Sequence, residues 1–391
     1  MKPLRILVAH NRYRQAGGED AVVDAEIDLL RRHGHEVEAY LRDNHELRHG
    51  SSLANFARTL WSRRTSVDIA YILNTFRPDV IHVHNTFALI SPSIYWAASR
   101  ADVPVVQTLH NFRMLCVQAM FLHQGKICED CVGRVPWRGM VRRCYHGSGT
   151  QSAAVAAMLA IHGTLGTYRE KVTRYIALNK FCRNKFIEGG LPASRIVVKP
   201  NFVDVSRPPE SARSGGLYVG RLAQEKGLDV LVHALEELPG TTVDVIGTGP
   251  DKCALEGHPR LRMLGQRTNA EIFERMRTAA YLVLPSIWYE NFPRVLVEAY
   301  ANGLPVIASR LGALPELVHH GETGLLFDPG AARDLARQLI WAEAFPEKIR
   351  AMGIKARKAY EAGFTGENNY RQLLTIYEDA MAEVNCKLVP A

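Results

Sequence analysis

The sequence lacks an apolar stretch that could cross a membrane, because no run reaches the roughly 18 residues of a spanning helix. It also lacks internal repeats, low-complexity tracts and the long apolar region of a secretory leader, and its first residues, MKPLRILVAHN, are predicted to form a strand. We therefore expect a cytoplasmic protein. With 391 residues, 47% of them hydrophobic and 23% charged, the chain has a globular composition and room for about two domains.

Cysteine is scarce and odd in number, since the chain has only seven. In a large chain without a leader, this argues against a disulfide framework. Four of the cysteines lie close together, at Cys116, Cys128, Cys131 and Cys144, and the middle two form a C-x2-C pair. This spacing predicts a small insertion, about residues 112–147, that is held by a structural zinc with four protein ligands. Buried thiols or a redox pair are the alternatives.

The net charge of +8 suits a phosphate-bearing ligand, an anionic membrane or nucleic acid. The basic residues are dispersed and no nucleic-acid recognition motif is present, which argues against nucleic acid. Residues 53–64, LANFARTLWSRR, have the pattern of a basic amphipathic helix that could lie on an anionic membrane surface, peripherally at its inner face. The alternative, which we favour, is an ordinary surface helix with its apolar side in the core.

Short apolar runs alternate with helical patterns through the first 200 residues. Such alternation predicts an open α/β sheet, and these sheets bind ligands at the carboxyl ends of their strands. Two predicted strands end in His84-Asn85 and His110-Asn111, and Gly17-Gly18 precedes the first helix. No G-x-G-x-x-G follows the first strand, which argues against a dinucleotide oxidoreductase. The predicted strands are Leu4–Ala9, Glu36–Tyr40, Asp79–His84, Val103–Leu109 and Ile196–Lys199.

A polar segment rich in proline, serine and glycine, residues 200–216, is predicted to link two domains. The alternation of strands and helices then restarts and predicts a second complete doubly wound domain. Its central stretch, Leu284–Ser309, reads as strand end, loop, helix and strand.

Two carboxylates mark this stretch, with Glu290 in the loop before the helix and Glu298 about one turn inside it. Both face the helix N-terminus, where free N–H groups and the helix dipole favour an anion. Carboxylates in turn accept hydrogen bonds from sugar hydroxyls. The alternative is that Glu290 is a solvated loop residue and that Glu298 forms an ordinary surface pair with Arg294.

The turn Gly220–Gly227 connects the first strand and the first helix of the second domain. Arg221 offers a fork of donors and Lys226 a point charge, which together suit a diphosphate. The alternative is a surface pair between Arg221 and Glu225. Two cations, a helix N-terminus and two carboxylates describe a site for a nucleotide sugar.

Four motifs of the second half carry a family resemblance. They are GRLAQEKG at 220–227, VIGTGP at 245–250, the E-x7-E of Glu290 and Glu298, and GETGLLF at 321–327. With them the chain resembles glycosyltransferase family 4, whose members are retaining enzymes of the GT-B fold. The resemblance implies two Rossmann-like doubly wound α/β domains facing across a cleft. Their expected bounds are 1–200 and 201–365, with a terminal helix, 366–391, that crosses back to the first domain.

The resemblance also implies roles for single residues. Arg221 and Lys226 would bind the donor diphosphate, Glu298 the ribose and Glu290 the transferred sugar. Asn291 stands where many members have glycine, which leaves the sugar open. The implied catalytic residues are Arg221, Lys226, Glu290 and His110. The implied donor-binding residues are Gly18, Gly220, Gly265, Asn291, Phe292 and Glu298.

The implied reaction moves a sugar from a UDP- or GDP-sugar to a glycan or lipid-linked acceptor, with retention and without a metal, in bacterial surface-polysaccharide or glycolipid synthesis. A GT-B enzyme that is not a transferase, such as a sugar-nucleotide epimerase or a phosphorylase, is an alternative. A basic nucleic-acid-binding protein with a zinc insertion is an alternative of another class.

Overall fold

The computed structural model describes residues 2–14, 17–49, 52–205, 211–238 and 240–388. The chain forms two compact units. The first unit comprises Met1–Met120, Glu129–Pro200 and Asn369–Ala391, and the second comprises Phe121–Cys128 and Asn201–Asn368.

Strands and helices alternate along most of the chain. The strands are β1 Arg5–Arg12, β2 Glu36–Asp43, β3 Val80–Asn85, β4 Val105–Leu109, β5 Leu122–His123, β6 Lys126–Ile127, β7 Arg174–Ala177, β8 Ile196–Val198, β9 Gly216–Val219, β10 Val243–Ile246, β11 Leu261–Gly265, β12 Tyr281–Leu284, β13 Val306–Ser309 and β14 Gly324–Phe327. The helices are α1 Gly18–Arg32, α2 Ser52–Leu60, α3 Arg63–Thr75, α4 Ser93–Arg100, α5 Trp137–Val141, α6 Gly149–Thr164, α7 Thr167–Glu170, α8 Lys180–Glu188, α9 Leu228–Glu236, α10 Lys252–Leu255, α11 Asn269–Thr278, α12 Arg294–Ala301, α13 Leu314–Leu317, α14 Ala332–Ala344, α15 Pro346–Gly363 and α16 Gly366–Leu388.

The first unit is built on a six-stranded parallel sheet in the order β2-β1-β3-β4-β7-β8. Its central strands β3 and β4 are buried along their whole length because helices cover both faces of such a sheet. Helix α16 contributes to this core from residue 369 onward. One buried cluster contains Ile6, Val8, Val23, Ile27, Leu30, Val80, Val106, Ile176, Leu373, Ile376, Tyr377 and Ala380.

The second unit repeats this architecture with the strand order β11-β10-β9-β12-β13-β14. The chain moves outward from β9 to β11 on one side and from β12 to β14 on the other, so the order reverses between β9 and β12. A reversal of this kind is where open α/β sheets bind their ligands. The prediction of two doubly wound sheets is confirmed. Gly303 ends α12 at a φ of +64°, the left-handed C′ position that the sequence predicts.

The predicted helix over residues 53–64 is divided in the structure. Helix α2 ends at Leu60, and the Ser62 hydroxyl accepts a hydrogen bond from Thr65 N to start α3. Leu60 packs against the buried face of α6, as in an ordinary surface helix. The side chains of residues 53–55 lie outside the described part, as do linker residues 206–210. No helix in the described ranges has both the length and the apolarity to span a bilayer.

Candidate active site

The carboxyl ends of β9 and β12 bring Lys226 and Glu290 together in the second unit. The Lys226 Nζ atom lies 2.7 Å from Glu290 Oε1. Lys226 follows β9 and Glu290 follows β12, so 64 residues separate them in sequence while their strands are neighbours in the sheet. The strand order reverses between β9 and β12, and we call this place the switch point of the sheet. Lys226 and Glu290 converge there, as the sequence predicts.

Glycines hold the loop after β9 against the loop after β10. Gly220 N donates to Ile246 O at 3.0 Å, and Leu222 N donates to Thr248 O at 3.0 Å. A Cβ at Gly247 would lie 1.9 Å from the Gly220 carbonyl oxygen. Side chains are therefore excluded there, and the two backbones approach closely enough to fix the position of Arg221.

A second glycine contact ties the β9 loop to the β12 loop. Gly227 has a φ of +68°, and a Cβ there would lie 1.9 Å from Pro285 O. Ile287 N also donates to Glu225 O at 3.1 Å. Lys226 and Glu290 thus stand on loops that are fixed to each other by backbone contacts, which is the rigidity that a binding site requires.

Glu290 is buried but ionised. Burial favours the protonated form, yet the charge and hydrogen bond of Lys226 outweigh it, and the pKa of Glu290 lies below its ordinary value. Ser286 Oγ also donates to Glu290 Oε1 at 2.8 Å. The Lys226 ammonium lies 5.0 Å from the Trp288 ring centroid, which is a cation–π contact. The site therefore presents a charged acceptor beside a positioned cation.

Arg221 and Glu298 form the ordinary ion pairs that the sequence offered as alternatives. Arg221 pairs with Glu225 but keeps 54% of its side chain exposed, so its guanidinium is accessible for further contacts. Arg294 Nε lies 3.0 Å from Glu298 Oε1. Burial raises the pKa of Glu298, and the Arg294 charge offsets this only in part. These pairs leave the predicted ligand roles of both residues untested.

The remaining predicted donor residues lie in both units. Gly265 ends β11, and its carbonyl accepts from Gly247 N at 2.9 Å, so it stands beside the glycine loops. Asn291 is buried and Phe292 half-buried directly after Glu290. Gly18 and His110 belong to the first unit, and their approach to a donor stays a prediction.

His84 and His110, which the sequence places at strand ends, belong to a buried polar network whose other members, Glu26 and Lys199, the sequence analysis did not single out. His110 Nε2 lies 2.9 Å from His84 Nδ1, and His84 Nε2 lies 3.5 Å from Glu26 Oε2. Glu26 Oε1 is paired with Lys199 Nζ at 2.6 Å, and both side chains are fully or almost fully buried. Neither His84 Nε2 nor Glu26 Oε2 has a hydrogen-bond partner among the described residues, so the contact between them is a close approach and not a hydrogen bond. Burial lowers the pKa of both histidines, so both are neutral.

Glu19 is a second residue that the sequence analysis did not single out. It lies at the start of α1, where its Oε2 accepts from Tyr13 Oη at 2.8 Å and from Asn111 Nδ2 at 3.4 Å. Burial raises the pKa of Glu19 to about 7, against the opposing effects of His10 and the Tyr13 hydrogen bond. The only feature of the sequence that could have pointed to Glu19 was its position beside Gly17-Gly18.

In the described part of the chain, Glu26, His82 and His84 form the one group whose ligand atoms lie within 4.8 Å of one another. This group does not fit a metal, because Lys199 already neutralises Glu26 and both ring nitrogens of His82 are engaged. They lie 2.7 Å from Tyr377 Oη and 2.8 Å from Thr108 Oγ1.

The four cysteines predicted to bind zinc are divided between the two units. Cys116, Cys131 and Cys144, all in the first unit, do not bring three sulfur atoms within 4.8 Å. Cys128 belongs to the second unit. The zinc site stays a prediction, which metal analysis of the purified protein tests.

Two doubly wound units, one carrying paired cations and carboxylates at its switch point, define an α/β protein of the GT-B class. Comparison with known proteins narrows the class. Residues 16–207 match the family model described as Glycosyltransferase Family 4, and residues 215–359 match that of the glycosyl transferases group 1. The chain belongs to the family-4 type of glycosyltransferases.

Individual relatives agree with this assignment. The chain is 30% identical over 260 residues to a phosphatidyl-myo-inositol mannosyltransferase of Mycobacterium leprae, covering 61% of this chain and 67% of the relative. It is 27% identical over 343 residues to a glycogen synthase of Mycobacterium tuberculosis, covering 79% and 75%. HepE of Anabaena, solved in complex with UDP, has a TM-score of 0.67 at 19% identity and covers 96% of this chain and 100% of its own. The last likeness concerns the fold alone.

Proposed function

We propose that this glycosyltransferase moves a sugar from a nucleoside diphosphate sugar to a glycan or lipid-linked acceptor, with retention of configuration. The observation that carries the proposal is the Lys226–Glu290 pair at the switch point of the second unit. The complexes of the structural relative HepE with UDP and with UDP-glucose support a UDP-type donor.

Cations supply the main electrostatic effect in the proposed mechanism. Departure of the nucleoside diphosphate places negative charge on its phosphate oxygens. Lys226, held in place by Glu290 and Trp288, and the exposed guanidinium of Arg221 stabilise that charge, so no metal ion is needed for this step. The N-terminus of α12 adds its dipole.

Carboxylates hold the rings on either side of the diphosphate. Glu290, kept ionised by Lys226, accepts hydrogen bonds from hydroxyls of the transferred sugar. Glu298, on the first turns of α12, accepts from the ribose hydroxyls. His110 donates or accepts through its neutral ring at the sugar. With Glu290 engaged as a binding group, substitution proceeds on the front face of the sugar without a covalent intermediate.

The acceptor is proposed to be a glycan or lipid-linked molecule of the cell surface, met at the inner face of an anionic membrane. The M. leprae relative is a mannosyltransferase of a phospholipid by its name. The net charge of +8 favours an anionic surface.

Product analysis with labelled UDP- and GDP-sugars tests this function. We expect label in a new glycoside whose anomeric configuration, read by NMR, equals that of the donor, and we expect turnover to survive EDTA. Label that stays in an isomerised sugar nucleotide would indicate an epimerase. A sugar phosphate formed only with added inorganic phosphate would indicate a phosphorylase.

A further inference from the structure

Helix α5 and its flanks expose large apolar side chains to solvent. Val135 is 62% exposed, Trp137 55%, Met140 41% and Val141 65%. We call residues 134–143, RVPWRGMVRR, the α5 surface. Four large apolar side chains exposed within seven residues form a patch, unlike the single exposed apolar residues that are normal on soluble proteins.

In an ordinary amphipathic surface helix the large apolar side chains face the core, but in the α5 surface they face solvent. Its smallest residues, Pro136 and Gly139, are buried, and its largest face outward. A Cβ at Gly139 would lie 2.6 Å from Val117 Cγ2, so the glycine is what allows the helix to pack closely. Cys144 N donates to Gly139 O at 2.9 Å and secures the next turn. The packing therefore presents the apolar side chains outward instead of using them in the core.

Arginines surround these apolar side chains. The four are Arg134, Arg138, Arg142 and Arg143. Asp130 lies 2.7 Å from Arg142 and 3.9 Å from Arg138, and the Arg138 guanidinium lies 5.5 Å from the Trp137 ring centroid. Within the described residues, Arg134 and Arg143 have no carboxylate partner. The surface thus combines exposed apolar groups with uncompensated positive charge.

We propose that the α5 surface docks the protein on an anionic phospholipid bilayer. Tryptophan is favoured at the depth of lipid headgroups, and valine and methionine side chains can enter the acyl boundary beside it. Arginines next to them attract anionic headgroups. Because the patch is both apolar and basic, it fits a bilayer with negative headgroups better than an apolar protein groove. The inference rests on the proposed membrane-associated function but not on the transfer chemistry.

Vesicle sedimentation of the full chain tests the proposal. We expect binding to vesicles of phosphatidylcholine and phosphatidylglycerol in equal parts, weakened by salt, and little binding to pure phosphatidylcholine. The variant W137S/M140S/V141S should lose about tenfold or more of this binding, since it removes three exposed apolar side chains that would enter the bilayer. R134Q/R143Q should bind about fivefold more weakly per arginine and respond less to salt.

A matched control replaces exposed apolar residues outside the surface. Ile340 is 51% and Ile354 56% exposed in the second unit, so I340S/I354S should bind as the unaltered protein does. Circular dichroism and the melting temperature show whether the triple variant folds. If it does not fold, vesicle binding of R134Q/R143Q still tests the proposal. Equal binding to neutral and anionic vesicles, normal binding of the triple variant, or equal loss in I340S/I354S would overturn the proposal. Vesicle binding by a protein with no transferase activity would refute the proposed function alone.

Discussion

Lys226 Nζ and Glu290 Oε1 lie 2.7 Å apart, so the cation expected at the diphosphate and the carboxylate expected at the sugar form one charged pair. Glu290 is only 8% exposed, and an unpaired carboxylate is costly at such a position. The pair therefore links the two halves of the proposed donor site. A change at Lys226 alters the ionisation of Glu290 as well as the charge offered to phosphate.

Lys226→Ala should lower turnover by about 10² or more, because it removes a cation from the developing charge of the leaving group. Arg221→Ala should have an effect of the same order. Steady-state kinetics with the preferred donor measure both. Lys252→Ala is a suitable control, since Lys252 is also a lysine paired with a glutamate, Glu256, but on the exposed helix α10. Turnover near normal in both Lys226→Ala and Arg221→Ala would contradict the assignment.

Gly227→Ala should destabilise the second unit by more than the roughly 1–2 kcal/mol of a left-handed non-glycine residue. The added Cβ also meets Pro285 O at 1.9 Å, so the backbone must shift between the two site loops. Gly257→Ala is the matched control, because its φ is +81° but nothing lies within 4 Å of the added Cβ. Urea denaturation measures both variants, and equal losses would show that the close contact is unimportant.

Lys199→Met should lower the free energy of unfolding by about 3–5 kcal/mol, because it leaves the Glu26 carboxylate buried without its partner. Replacing both residues, as in Lys199→Met with Glu26→Leu, should recover most of this loss. Denaturant titration of the two single variants and the double variant gives the coupling energy. Additive losses would mean that the pair does not act as a unit.

Glu19→Gln should change how stability depends on pH. Burial raises the pKa of Glu19 from 4.5 to about 7, so between these values the folded state keeps a proton that the unfolded state has lost. Stability from this group is therefore greatest below pH ~4.5 and falls as the pH rises toward about 7, by about 3 kcal/mol in total. The charged and titratable groups that face Glu19 include His10 and Asp20, and these are the same in the unaltered protein and in Glu19→Gln.

The measurement is the difference in unfolding free energy between Glu19→Gln and the unaltered protein at several pH values. That difference should shift in favour of the variant as the pH rises from 4.5 to 7. A pH-independent difference for Glu19→Gln would sink the prediction.

Much of the second unit follows from local sequence. Its strands are short apolar runs with helical patterns between them, and turn residues such as Gly303 mark the helix ends because only glycine readily adopts their backbone conformation. In the first unit, the strand β7, Arg174–Ala177, was not predicted from the sequence.

The predicted amphipathic helix over residues 53–64 shows a different limit. The sequence is compatible with one continuous basic helix, but Ser62 caps a new helix and Leu60 turns into the core formed with α6. The capping hydroxyl of Ser62 and the long-range packing of Leu60 therefore divide the segment into two helices, although its local pattern is that of one helix. Such contacts depend on residues about 100 positions away, which a reading of the segment alone does not include.

The sequence by itself determined the two α/β units, the placement of Arg221, Lys226 and Glu290 at strand-to-helix turns, and the placement of Glu298 about one turn inside α12, because periodicity and turn chemistry are local properties. Only the tertiary structure decided that Lys226 pairs with Glu290, that Glu26 lies buried against Lys199, and that Trp137 faces solvent. These relationships arise from strand order and helix orientation. Both are set by packing between distant segments, which no single stretch of sequence specifies.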